Sequence, residues 1–325
     1  MANPKATFTE GRITYTVNGE NLETYYKLFG SLTADASRRP LIALHGGPGM
    51  SHDYLLPISD LSLPGPHSRP VLLYDQIGNG RSTRLKDKPK EYFTIQLFVN
   101  ELANLISHFK ITHYDVLGHS WGGMLAAEFE LGLQPSGLKS LIISDSLTEM
   151  RLWRKSIAQL LEPFGDDVKE GIAARYVDPL KCRAALEKFQ AVYGCRIQPV
   201  PQEIVYSVLD LMLGDKETGK GGDSTVSANM YVPPSMTSVF AYKYTPRFGG
   251  VLKDWSIADR LHHIRVPVFL INGRFDMAQD FVCEEYFWKV KKIKWVTFQD
   301  SCHVPMWEER DRYMKIVSEW IEQVE

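Results

Sequence analysis

Apolar and polar residues alternate over 12–17, with Ile13, Tyr15 and Val17 on one face. After an Asn18-Gly19 turn, Leu22 to Phe29 returns as a second strand, and together the two read as an antiparallel hairpin at a sheet edge. A different pattern follows. Leu41-Ile42-Ala43-Leu44 and Val71-Leu72-Leu73-Tyr74 are short unbroken apolar runs of the kind buried on both faces. Tyr114-Asp115-Val116-Leu117 and the segments 138–143, 266–271 and 294–298 read as further strands. Between them, Ile95, Phe98, Leu102, Leu105, Ile106 and Phe109 recur at helical spacing behind Thr94, a natural N-cap. Helices are also predicted from 123 to 131, 281 to 290 and 308 to 324. Strands alternating with helices predict an α/β fold, a mostly parallel sheet flanked by helices with right-handed crossovers.

The alternation stops after Asp145 and resumes at Val266. Between them the pattern is helical and irregular, clearest over 183–193 and 203–213, with a Gly-rich stretch at 214–222. About a hundred residues between two strands of one sheet is how a lid is inserted over a catalytic face. The expected division is therefore a core of 1–146 and 254–325 with a mainly helical cap at 147–253.

Composition narrows the class. Of 325 residues 44% are hydrophobic and 23% charged, with a formal charge of −2, so the chain reads as an ordinary globular protein. No basic stripe suits nucleic acid, and Lys291, Lys292 and Lys294 read as a solvated helix end. The start has no apolar h-region and no run is long enough to span a bilayer. The expectation is a cytoplasmic protein with no membrane partner. Cys182, Cys195, Cys283 and Cys302 read as free thiols, with a Cys182–Cys195 disulfide as the alternative.

Candidate chemistry gathers at strand ends, where ligands meet open parallel sheets. The turn Gly118-His119-Ser120-Trp121-Gly122 lies between a strand and a helix, the setting of a nucleophile elbow. Asp276 follows the 266–271 strand directly, and His303 follows the next strand, 27 residues on. The chain order Ser, Asp, His is that of the α/β-hydrolase triad. Ser120 would be the nucleophile, His303 its general base and then acid, and Asp276 the group that holds the imidazole tautomer. The backbone N–H groups of Trp121 and Gly47 are the candidate oxyanion donors. Gly46 and Gly47 have no side chain to keep the backbone from the reacting carbonyl. Serine instead of aspartate at the elbow points to an acyl-enzyme, and acyl transfer through serine implies no cofactor.

Several neighbours have plainer roles. His45 and His119 read as positional, His262 and His263 as surface residues, Cys302 as a small buried thiol, and no spacing supports a metal site.

These segments resemble the proline iminopeptidase family of α/β-hydrolases. The likeness is carried by His45-Gly46-Gly47-Pro48-Gly49-Met50-Ser51-His52-Asp53-Tyr54, Asp75-Gln76-x-Gly78-x-Gly80-x-Ser82 and Gly118-His119-Ser120-Trp121-Gly122-Gly123. It continues in Lys253-Asp254-Trp255, Gly273-Arg274-Phe275-Asp276 and Ser301-x-His303-x-x-x-Trp307-Glu308. The resemblance implies a serine enzyme that removes an N-terminal residue, often proline, from short peptides, using carboxylates to bind the substrate ammonium. Two such positions differ here: Met277 follows Asp276, and the cap counterpart Tyr231-Val232-Pro233-Pro234-Ser235-Met236 has no acid. Met277 and Met236, with Gly46, are the candidate substrate-contacting positions, and Glu162, Glu187 and Glu203 are cap acids open to the ammonium role. Two substrate readings stand side by side. One is a small amide or peptide. The other is an ester, lactone or amide without a free amine, processed by hydrolysis or by acyl transfer. The expected partner is a small molecule or short peptide, and the oligomeric state is not encoded in any motif.

Overall fold

The computed structural model describes residues 6–32, 38–231 and 250–325. Its centre is an eight-stranded sheet in the order β1-β2-β4-β3-β5-β6-β7-β8. The strands are β1 (Phe8–Val17), β2 (Glu20–Phe29), β3 (Leu41–Leu44), β4 (Val71–Tyr74), β5 (Tyr114–His119), β6 (Leu138–Ser144), β7 (Val268–Gly273) and β8 (Ile293–Phe298). β1 pairs antiparallel with β2 and β2 antiparallel with β4, and every later pairing is parallel.

Side chains alternate between faces along a strand, and both faces of this sheet are covered. Ile42, Leu44, Leu72 and Val116 enter one apolar cluster with Leu102, Leu105 and Leu125. Leu41, Ala43, Val71, Leu73 and Leu117 enter the other with Val317 and Ile321. The strands therefore read as continuous apolar runs.

Two helices pack with the strands before β7, α1 (Ile95–His108) and α2 (Trp121–Leu133), and α3 (Met150–Leu161) follows β6. Thr94 caps α1, its hydroxyl accepting from the Leu97 N–H at 3.1 Å. Between β6 and β7 α3 is followed by α4 (Asp166–Ala173), α5 (Pro179–Tyr193), α6 (Gln202–Val205), α7 (Leu211–Leu213) and α8 (Thr225–Met230). A π turn over Tyr206–Asp210 joins α6 to α7. After β7 come α9 (Asp280–Lys289), α10 (Pro305–Glu308) and α11 (Arg310–Gln323). The predicted 308–324 helix is thus divided at Glu309 (φ −124°, ψ 50°). The predicted 266–271 strand starts later, at Val268, because Pro267 has no N–H for the ladder. All four cysteines are free and buried, so the Cys182–Cys195 alternative is set aside. No helix among the described residues is long and apolar enough to cross a membrane.

Candidate active site

Ser120 joins β5 to α2 with φ 56° and ψ −120°, a strained conformation for a side-chain-bearing residue. Its N–H donates to Ser144 O at 2.9 Å, and its carbonyl accepts from Ser146 Oγ at 2.7 Å, so the last residue of β6 and the loop after it hold both sides of the turn. A Cβ on Gly122 would lie 2.2 Å from Leu44 O, so only glycine lets the turn sit this close to β3.

Trp121 opens α2, and its backbone N–H belongs to the first turn, whose donors have no intrahelical partner. Its buried indole donates to Gln76 Oε1 at 2.7 Å. Gln76 in turn donates through Nε2 to His45 O at 2.9 Å, while its own N–H donates to His45 Nε2 at 3.0 Å. The Asp-Gln-x-Gly-x-Gly segment thereby ties the elbow to the glycine turn after β3. Burial pushes His45 down to about 4, so it accepts as a neutral imidazole near pH 7. Gly47 has φ +117°, and the Gly46 N–H is already taken by Tyr54 Oη at 2.6 Å.

His303 lies on the loop after β8, with Nδ1 2.6 Å from Asp276 Oδ1. The same oxygen accepts from the Ala278 N–H at 2.9 Å. His119, the last residue of β5, fixes the loop: its Nε2 donates to His303 O at 2.6 Å, and its Nδ1 accepts from Tyr54 Oη at 2.7 Å. Desolvation holds His119 well below the usual imidazole range, which keeps that donor and acceptor assignment fixed. Glu308 and Glu309 brace the other side, accepting from the N–H groups of Cys302 and Asp300.

Asp145, at the end of β6, was not a sequence candidate. It is fully buried with φ 53°, accepts from Ser144 Oγ at 2.5 Å, and hydrogen-bonds the Asp276 carboxyl. Burial first, and the Asp276 charge second, push its pKa well up, so it carries a proton where an ordinary aspartate would not. Asp276 Oδ2 is buried with no ordinary donor, and the Asp145 acid is the group available to serve it.

Ser120, Trp121, Gly47, His303 and Met277 share the wall of one cavity of about 110 Å³. Gly46 is not on that wall, and Met236 lies outside the described residues. Much of the remaining lining is apolar, including Met124, Met150, Trp153, Ile157 and Phe189. Among the described lining residues there is no aspartate or glutamate, and Arg175 is the one lysine or arginine. Glu162, Glu187 and Glu203 do not reach it, and Glu162 and Glu187 are exposed.

The profile of the α/β hydrolase fold matches residues 39–175. The proline iminopeptidase of Saccharolobus solfataricus is 32% identical over 323 residues, covering 95% of this chain and 94% of that protein. The chain belongs to the proline iminopeptidase family of α/β-hydrolases. The Lactobacillus delbrueckii subsp. bulgaricus proline iminopeptidase is 29% identical over 93% of this chain and 95% of its own length. Among solved structures, VinJ superposes with a TM-score of 0.81 at 31% identity, covering 97% of this chain and 99% of VinJ. The Mycobacterium smegmatis proline iminopeptidase gives 0.72 at 29% identity, covering 96% and 98%. Family membership makes this chain a hydrolase, as the HGGPG and elbow motifs predict.

Proposed function

We propose that the protein is a serine hydrolase that works through an acyl-enzyme on a small amide or ester. The observation that carries this reading is the meeting of Ser120 and His303 on one cavity wall, with His303 Nδ1 held by Asp276. Ser120 Oγ attacks the substrate carbonyl carbon while His303 Nε2 takes its proton. The oxyanion is received by the N–H groups of Trp121 and Gly47, donors that are typically worth about 3–4 kcal/mol each in the transition state. Collapse breaks the bond to the leaving group, which takes the proton from His303. A water then attacks the acyl-enzyme, giving its proton to His303, and the acid leaves as Ser120 recovers its hydrogen. Asp276 keeps the Nδ1–H tautomer and balances the imidazolium.

In this reading the helical segment 147–253 is the cap over a core of 1–146 and 254–325, the substrate is a small molecule or short peptide, and the setting is cytoplasmic. The relatives named proline iminopeptidase favour removal of an N-terminal residue. The absence of a carboxylate among the described wall residues favours the second substrate reading, an ester, lactone or amide without a free amine. An ammonium ion buried without a counter-charge is disfavoured by several kcal/mol.

Labelling with a fluorophosphonate tests the chemistry. Wild type is expected to label at Ser120 and Ser120→Ala to lose both labelling and turnover; a Ser120→Ala protein that still turns substrate over removes the reading. Proline 4-nitroanilide against a neutral 4-nitrophenyl ester separates the substrates, with the ester expected to be the better one.

A further inference from the structure

We infer that Arg175 is the recognition group for a carboxylate on the substrate, so that the enzyme selects anionic acyl donors. This rests on the acyl-enzyme reading for its placement of the substrate, but its ligand is testable without turnover.

Arg175 follows α4 and lines the same cavity as Ser120 and His303. It is half-buried, and the cavity it lines is mostly apolar. Its Nη2 reaches Met212 Sδ at 3.2 Å and Ser227 Oγ at 3.5 Å, and the guanidinium lies over the rings of Tyr176 and Tyr231 at 5.9 and 5.8 Å. Nε is buried with no hydrogen-bond partner. None of the carboxylates among the described residues pairs with it, whereas Arg81, Arg183, Arg260 and Arg310 each meet an acid. The segment 232–249 beyond Tyr231 contains no aspartate or glutamate in its sequence, so it has no counter-ion to offer either.

An arginine stays charged at any physiological pH, and removing that charge from water without a partner is unfavourable. The fork of a guanidinium matches a carboxylate with two parallel N–H···O bonds. A substrate carboxylate would supply the missing partner. The same positive charge repels an ammonium group in the cavity, and no acid on the described wall offsets it. Substrate class is thus reversed relative to an enzyme that binds a protonated amine: the charge that is bound is negative.

The test compares 4-nitrophenyl monoesters of adipic, pimelic and suberic acid with the same chains capped as methyl esters and with ω-amino acyl esters of matched length. Wild type is expected to prefer the free carboxylate at least tenfold in kcat/KM over the methyl cap at one or more lengths, and by more over the amine. Arg175→Met is expected to bring that ratio below threefold, and Arg175→Lys to retain part of it. In Ser120→Ala protein, which performs no chemistry, calorimetry is expected to detect adipate, pimelate or suberate but not the matching diamines, with binding lost in the Ser120→Ala/Arg175→Met double variant. A wild-type ratio near or below one at every length, or a ratio that survives in folded Arg175→Met protein, overturns the inference. Arg175-dependent dicarboxylate binding in a protein that fluorophosphonate fails to label supports Arg175 and rejects the serine mechanism. Labelling without charge preference does the reverse.

Discussion

At the scale of single residues, the site depends on one proton that no motif encodes. Asp145 and Asp276 cannot both be ionised side by side in a dry pocket, and the raised pKa of Asp145 makes it the neutral partner. A protonated Asp145 donates to Asp276 Oδ2 and leaves Oδ1 for His303 Nδ1 and the Ala278 N–H. Asp145→Ala would strand Oδ2, and an unsatisfied buried acceptor costs about 1–3 kcal/mol. We expect kcat/KM for a 4-nitrophenyl ester at pH 7 to fall roughly tenfold or more in Asp145→Ala, by the same arithmetic. Asp145→Asn retains an N–H donor and is expected to lose severalfold less; equal losses in the two variants would place the proton elsewhere. Ser120, Asp276 and His303 were legible as candidates because each sits at a strand end and the chain order is distinctive. Asp145 and Arg175 were not, because Ser-Asp-Ser after a strand reads as a turn and an arginine after a helix reads as surface. What makes either one matter is burial beside a residue more than 50 positions away.

The elements show where hydrophobic pattern suffices and where it does not. β3, β4 and β5 were legible because strands buried on both faces are written as apolar runs. The π turn in Tyr206–Asp210 was not, since a 3.6-residue period carries no mark for one extra residue per turn. Nor was the break between α10 and α11. Glu308 and Glu309 lie at that break, and both turn their carboxylates to the loop that carries His303. The elbow shows the opposite limit, where local sequence and packing agree on a single residue type. A methyl group at Gly122 meets Leu44 O at 2.2 Å, a backbone atom of the central sheet that cannot swing away. Gly122→Ala is therefore expected to lower stability by about 3 kcal/mol or more, at the upper end of overpacking effects. Gly132→Ala, in the same helix with nothing within 4 Å of the added carbon, is the control and is expected to be neutral or stabilising. Urea midpoints of the two variants check the contrast, and similar midpoints would mean that β3 yields.

Across the whole molecule, buried ionisable groups pull stability in opposite directions as pH changes. Glu101 of α1 is fully buried and joins three parts of the core, accepting from Thr24 Oγ1 of β2 at 2.5 Å and from the Ile77 N–H at 2.9 and 3.0 Å. Burial, reinforced by the nearby Asp75 charge, pushes its carboxyl from 4.5 up to about 8. Between those values the folded chain keeps a proton that the unfolded chain releases. Its contribution is complete below about 4.5 and is lost as pH rises through about 8. His45 acts the other way. Burial moves it from 6.5 down to about 4, so its contribution is complete above 6.5 and is lost as pH falls toward 4. Asp75, held well below the usual carboxylate range by His52 against its own desolvation, also loses its contribution on the acid side. Glu101 therefore sets a falling limb between pH 5 and 8 that His45 and Asp75 do not share above 6.5. Glu101→Gln removes the titration, and the stability difference between wild type and variant should shift against wild type by on the order of 1 kcal/mol per pH unit across that window. Denaturant titrations at pH 5, 6, 7 and 8 measure the slope, and parallel curves for the two proteins would show that Glu101 is ionised in the folded state throughout.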